Sequence, residues 1–213
     1  MRKTKKRGGA NTSGGLLLVF DLDETIVNTT EPMELNPAII DILIQAAKLR
    51  DGVVGAICLL TNNSDKDHVA FIDDILLTVT ESIGKYIADD GMLSKPYFFD
   101  YIMTRTHPLR VDSKYQTKQF EDIKTFAHKS GVIFHSNDDL MSRTFFFDDQ
   151  SHVLQTQMAT WFDGVYADQY IKITPGYTGS KTKPETTNYE PILQAFQKNI
   201  SGGKRRTSKK SRT

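Results

Sequence analysis

The chain has 213 residues, 38% hydrophobic and 10% aromatic, enough apolar material for the core of one ordinary domain and too much for a disordered chain. No apolar run approaches the roughly 18 residues of a membrane span, and residues 1–15 are basic without the apolar stretch of a secretory signal, so no membrane attachment is expected. The single cysteine, Cys58, cannot form an internal disulfide, which fits a reducing intracellular compartment, cytoplasmic or nuclear.

The net charge of +1 hides an asymmetry. Eleven of the 27 basic residues lie in 1–15 and 201–213, where there is no acid; the other 16 share residues 16–200 with all 26 acids, so the body carries about −10. Both ends are Gly/Ser/Thr-rich with little to bury and read as disordered basic tails around one domain over 16–200. Such tails suit contact with nucleic acid or an acidic partner, and equally solubility or an address.

Leu16 to Phe20 is a continuous apolar run ending at Asp21, the pattern of a strand buried on both faces. Asn36-Pro37 opens a helix to about Arg50, with Ile39, Ile40, Leu43, Ala46 and Ala47 as its apolar stripe. A second buried strand, Val53 to Leu60, stops at Thr61-Asn62-Asn63, and Ser64 or Asp65 caps a helix to about Ala88. A loop around 89–96 precedes a strand over Tyr97 to Met103, then a helix over Thr117–Ser130 and a strand Phe145 to Phe147 ending at Asp148. A helical turn at Ser151–Gln157, a strand near Tyr170–Ile173, an extended surface segment over 174–188 and a helix Glu190–Gln197 complete the series. Strands alternating with amphipathic helices predict an α/β fold with a mainly parallel sheet, which binds ligands beyond the carboxyl ends of its strands. Three strands end in polar clusters, Asp21-Leu22-Asp23, Thr61-Asn62-Asn63 and Asp148-Asp149, which should therefore converge.

Convergence implies chemistry. Two carboxylates two apart at a strand end allow one to attack a phosphorus atom while the other handles protons on the leaving group. An anionic nucleophile is repelled by an anionic phosphate, so a cation is needed, and Asp148 and Asp149 add hard oxygen ligands for one. Thr61 and Asn62 supply neutral donors for phosphate oxygens, and a lysine from the intervening helix would neutralise the remaining charge. An EF-hand loop starting at Asp21 would need Gly where Ile26 stands and an acid where Pro32 stands, and no Gly-x4-Gly-Lys-Ser/Thr occurs. The histidines at 68, 107, 128, 135 and 152 show no ligand spacing; His152, four residues past Asp148, is the one placed to overhang the site. The Asp pairs at 73–74, 89–90 and 138–139 follow no buried strand and read as solvated acids, and Trp161 and the Phe145–Phe147 run read as core.

LLLVFDLDETIVN (16–28), ICLLTNN (57–63) and TFFFDDQ (144–150) resemble the motifs of the haloacid dehalogenase superfamily. The DLDET spelling is most similar to the capless phosphatases of the RNA polymerase II C-terminal domain and their small relatives, and FDYIMTRTHPLR with YQTKQFEDIK (99–124) resembles their strand, arginine and lysine-helix segment. The resemblance implies a three-layer Rossmann-like core without a large cap domain, Mg²⁺, and an aspartyl-phosphate on Asp21. It makes Asp23 the general acid/base, which also offers its backbone carbonyl to the metal. It gives Thr61, Asn62 and Lys118 to substrate binding, with Thr61 and Lys118 also catalytic, and assigns metal binding to Asp21, Asp23, Asp148 and Asp149.

Lys114 is the alternative for the motif lysine. Thr117 read as N-cap puts Lys118 in the first helical turn, whereas Ser113 as cap favours Lys114. Asp148-Asp149 departs from the Asp-Asn usual in that group, and GVIFHSNDDLMSR reads as an insertion. An open site favours a phosphorylated protein as substrate, with phosphoserine or phosphothreonine as the target. A nucleotide or polynucleotide end phosphatase and an inactive binding relative are the competing readings.

Overall fold

In the run LLLVF every side chain is apolar, so the strand it forms needs cover on both faces and a neighbour on both edges. The computed structural model, which describes residues 15–50, 52–81, 85–86, 96–110, 117–179 and 186–207, places it at the centre of a five-stranded, all-parallel sheet. The strands are β1 (Leu16–Phe20), β2 (Val54–Leu60), β5 (Tyr101–Met103), β6 (Thr144–Asp148) and β7 (Tyr170–Lys172), in the order β5-β2-β1-β6-β7. The chain builds outward on one side of β1 and then crosses to the other. The switch point therefore lies between β1 and β6, where such sheets open a crevice for ligands.

Alternate residues of β1 point into two cores. Leu16, Leu18 and Phe20 pack with α1 (Pro37–Lys48), α2 (Lys66–Val79) and α6 (Glu190–Thr207) through Ile39, Leu43, Ile72, Leu76, Ile192 and Phe196. Leu17 and Val19 pack with α3 (Phe120–Ser130), α4 (Asn137–Ser142) and α5 (Val153–Thr160) through Phe120, Phe126, Met141, Leu154 and Met158. The result is three layers, with helices on both faces of the sheet. Among the described residues no helix is long and apolar enough to cross a membrane.

Caps fix the helix starts. The Asn36 side chain accepts from the Ala38 N–H at 3.1 Å ahead of Pro37, and Asp65 accepts from the N–H groups of Asp67 and His68, both at 3.0 Å. Several boundaries differ from the sequence expectation. The second helix stops at Val79 rather than near Ala88, because Glu81 turns into the left-handed region with φ 51. Lys85–Tyr86 (β3) then pairs antiparallel with Pro96–Tyr97 (β4). The strand expected over Tyr97–Met103 is thereby split, and its middle is bonded by side chains. The Asp73 carboxylate accepts from the N–H groups of Phe98 (2.8 Å) and Phe99 (3.1 Å), and Asp100 accepts from the Ile57 N–H at 2.8 Å. Asp73 is thus fully buried rather than solvated, and burial raises its carboxyl to about 6.

Asp139 is half-buried, paired with Arg143 at 2.7 Å and accepting from the His135 N–H. Phe145–Phe147 are core as expected, but Trp161 is 39% exposed and meets Phe120 only edge-on. The expected insertion contains α4, capped by Ser136. The last helix runs to Thr207, past the domain boundary drawn at 200. The expected loop at 89–95, the pair Asp89-Asp90, Lys114 and the tail segments 1–14 and 208–213 lie outside the described residues.

Asp73→Ala removes the acceptor for two buried N–H groups. It should lower unfolding free energy by about 2–4 kcal/mol, read as a reduced urea midpoint at unchanged slope; a change under about 0.5 kcal/mol would mean that water replaces the carboxylate.

Candidate metal centre

Parallel pairing in register brings the strand ends level. Phe20 lies opposite Leu59 and Phe147, so the residues just beyond, Asp21, Thr61 and Asp148, come to one edge of the sheet. Lys118 reaches them from the lead-in to α3. Its Nζ lies 2.7 Å from Asp21 Oδ1 and 2.6 Å from Asp148 Oδ2, with all three residues buried. The lead-in is held on several sides. The Lys118 carbonyl accepts from the Leu154 N–H at 2.9 Å, Gln119 N–H donates to Asp122 at 2.9 Å, and Phe120 N–H donates to Gln157 at 2.8 Å. Gln119, not Thr117, is the N-cap of α3, and it forms a capping box with Asp122. Lys118 therefore stands outside the helix rather than in its first turn, where the N-terminal dipole would have opposed it.

Asp149 completes the cluster. One ligand oxygen each of Asp21, Asp148 and Asp149 falls within 4.8 Å of the others. Asp149 is positioned by its own N–H, which donates to Thr25 Oγ1 at 3.1 Å. The segment after β7 closes on it: a Cβ on Gly176 would come within 2.8 Å of Glu24 Oε2 and 3.2 Å of Asp149 Oδ2. Of the expected surface segment, Gly176 and Tyr177 border the site rather than lie only at the surface: Tyr177 N–H donates to the Glu24 carbonyl at 2.6 Å, and residues 180–185 lie outside the described residues. Glu24 itself turns the chain with φ 58.

The electrostatics show carboxylate in excess of cation. Burial alone would depress Lys118, but Asp21 and Asp148 outweigh it and hold the ammonium above its usual range. Burial would likewise raise Asp148, but Lys118 and then His152, whose Nε2 stands 3.4 Å from Oδ2, keep it below the ordinary carboxylate range. Burial raises Asp21 to about 6 against the pull of Lys118. Burial, with Asp148, Asp21 and Glu24 as neighbours, raises Asp149 to about 7. Asp149 Oδ1 is buried and finds no hydrogen-bond partner among the described residues. An orphaned carboxylate oxygen beside two more carboxylates is a hard-oxygen donor set that fits a divalent cation.

Of the expected site residues, Asp21, Asp148, Asp149, Lys118 and Thr61 come together at the edge. Thr61 is fully buried and its Oγ1 accepts from Asn63 N–H at 2.9 Å. The Asp23 carboxylate lies outside the three-aspartate group, half-buried and 3.4 Å from Asn63 Nδ2; the resemblance expects its backbone carbonyl, not this carboxylate, to reach a metal. The Asn62 carboxamide oxygen accepts from Arg110, which orients the side chain. Arg110, buried, also donates to the Thr61 carbonyl at 2.7 Å and the Thr117 carbonyl at 3.4 Å, tying the end of β2 to the lysine lead-in. Sequence reasoning gave neither Arg110 nor Thr25 a role in the site, although both stand inside the quoted motif segments. Comparison with known protein families and with curated proteins gave no match.

A cation entering this group displaces protons from Asp149 and Asp21. Binding of a divalent ion should therefore strengthen as pH rises from 5 through 7, level off near 8, and release protons near neutrality. Calorimetry in two buffers of different ionisation enthalpy reads the release; pH-independent affinity over that interval would place the ion elsewhere.

Proposed function

We propose that the chain is a Mg²⁺-dependent phosphohydrolase of the haloacid dehalogenase superfamily. Its three-layer parallel core would then be of the Rossmann-like type, and a protein phosphoserine or phosphothreonine its substrate. The observation that carries the reading is Lys118 Nζ held 2.7 and 2.6 Å from two strand-end carboxylates, with a third carboxylate beside them. Asp21 attacks phosphorus, its new P–O bond forming as the bond to the leaving oxygen breaks, and Asp23 gives that oxygen a proton. Water then attacks the aspartyl-phosphate and yields its proton to Asp23, which restores the Asp21 carboxylate and releases phosphate. Asp21, Asp148 and Asp149 would hold the ion, with the Asp23 carbonyl as a further ligand; when bound it lessens repulsion between carboxylate and phosphate. Lys118 favours the ionised form of Asp21 and would face the charge that develops on the phosphoryl oxygens. The Arg110 brace ties the buried Thr61 at the end of β2 to the lysine lead-in.

Purified protein should hydrolyse an aryl phosphate with Mg²⁺ and lose that activity in excess chelator. Asp21→Asn should abolish turnover and form no beryllofluoride adduct, while Asp23→Asn should abolish turnover with the fold kept. Full activity in chelator, or wild-type turnover by Asp21→Asn, would overturn the reading.

Lys118→Ala should lower kcat/KM by at least about a hundredfold, the scale of losing a preorganised donor, against less than about tenfold for Lys114→Ala. Lys118→Ala also leaves two carboxylates facing each other in the core, so circular dichroism must first establish that the variant folds. The reverse order of effects would move the motif to Lys114.

A further inference from the structure

Asp23, two residues past Asp21, and its neighbour Asn63 line a cleft of about 860 Å³. If Asp23 protonates the leaving oxygen, whatever carried the phosphate must lie in this cleft. Three acids line it, Asp23, Glu31 and Asp65, together with His68, and among the described residues no lysine or arginine does. Its apolar floor is Met33 and Phe71, and Phe71 is 54% exposed, whereas Val69, Ile72 and Leu76 on the same helix are buried. The Phe71 ring therefore belongs to the cleft and not to the core. The near wall is preformed: Asn28 accepts from Glu34 N–H at 2.7 Å and donates to the Pro32 carbonyl at 2.9 Å, bracing the loop that carries Thr29, Thr30 and Glu31.

A polynucleotide end would bring its further phosphates against these carboxylates. A peptide with arginine beside the phosphorylated residue brings the opposite charge, and its guanidinium can stack on an exposed ring such as Phe71. We infer that the cleft receives a phosphorylated peptide with basic residues, arginine above all, flanking the phosphoserine or phosphothreonine. This rests on the phosphatase reading and adds the substrate's charge pattern to it.

The test uses the full chain carrying Asp21→Asn as a non-turnover trap and three labelled phosphoserine peptides alike except for Arg, Ala or Glu flanks. Binding is read by fluorescence anisotropy at about physiological salt. The Arg-flanked peptide should bind at least about tenfold tighter than the Glu-flanked one. In the same background Glu31→Lys should bring that ratio toward one, and Phe71→Ala should weaken the Arg-flanked peptide by about threefold or more. Equal or reversed preference overturns the inference, as does tighter binding of a 3′-phosphorylated oligonucleotide. Aryl phosphate hydrolysis by the wild type is measured in parallel. Its loss sinks the phosphatase reading, while the flank ratio by itself decides the cleft.

Discussion

One ammonium group fixes the relation between the two halves of this sheet at the edge where the three aspartates meet. β1 and β6 are held along their length by backbone bonds, but beyond them the chain leaves the sheet with Asp21 and Asp148 close together and out of water. Two buried carboxylates repel strongly in a medium that screens little. Lys118 Nζ, within 2.7 Å of both, makes that end of the sheet tolerable. Removing one partner from such a buried group characteristically costs about 3–5 kcal/mol, since it strands the rest. The supports around Lys118 follow from this requirement. A long flexible side chain can bridge two acids only if its backbone is pinned, and α5, through Leu154 and Gln157, pins it.

Where the sequence was legible, the signal was a long apolar run with a polar stop. β1, β2 and β6 end within a residue of where their hydrophobic runs end, and parallel pairing then brings those ends to one edge with no further information. Asn36-Pro37 likewise reads directly, because a cap is a local device. What stayed hidden depends on partners far along the chain. Asp73 looked like a surface acid until the N–H groups of Phe98 and Phe99 were brought to it, some 25 residues away. Those same bonds broke the expected third strand. Arg110 bonds to carbonyls at Thr61 and Thr117, and no periodicity announces that. The start of α3 was misplaced because Thr117 is the better cap in isolation, while Gln119 has the acidic partner at Asp122 that makes a capping box.

The charge distribution of the chain acquires a spatial meaning. The acidic excess of the body is concentrated in part around one feature: three aspartates in the cluster, Glu24 behind Asp149, and Asp23, Glu31 and Asp65 along the cleft. A cation in the cluster would neutralise only the inner group, because the cleft acids lie beyond it. The cleft would then keep its negative field with an ion bound, and in the proposed reaction that field would discriminate among phosphorylated molecules rather than exclude them all.

Asp21 and Asp23 are two residues apart and chemically alike, and their roles in the proposed reaction require different environments. A nucleophile must be ionised while it faces a phosphate, and must not be diverted by water. Burial shields Asp21 from water, and Lys118 beside it offsets part of the rise that burial causes in its pKa. An acid/base must exchange protons with the leaving group and then with water, so it needs access, and Asp23 is half-buried at the cleft mouth. The pleat alone would put residues i and i+2 on the same side. Separation arises because the strand ends at Phe20 and the chain turns sharply through Glu24, with Ile26 and Val27 both donating to the Leu22 carbonyl. That turn carries Asp23 outward while Asp21 stays at the sheet edge. The place of the Asp23 carboxylate outside the three-carboxylate group fits the division of labour that the proposed reaction would need, with one acid held in the cluster beside the lysine and the other open to a substrate.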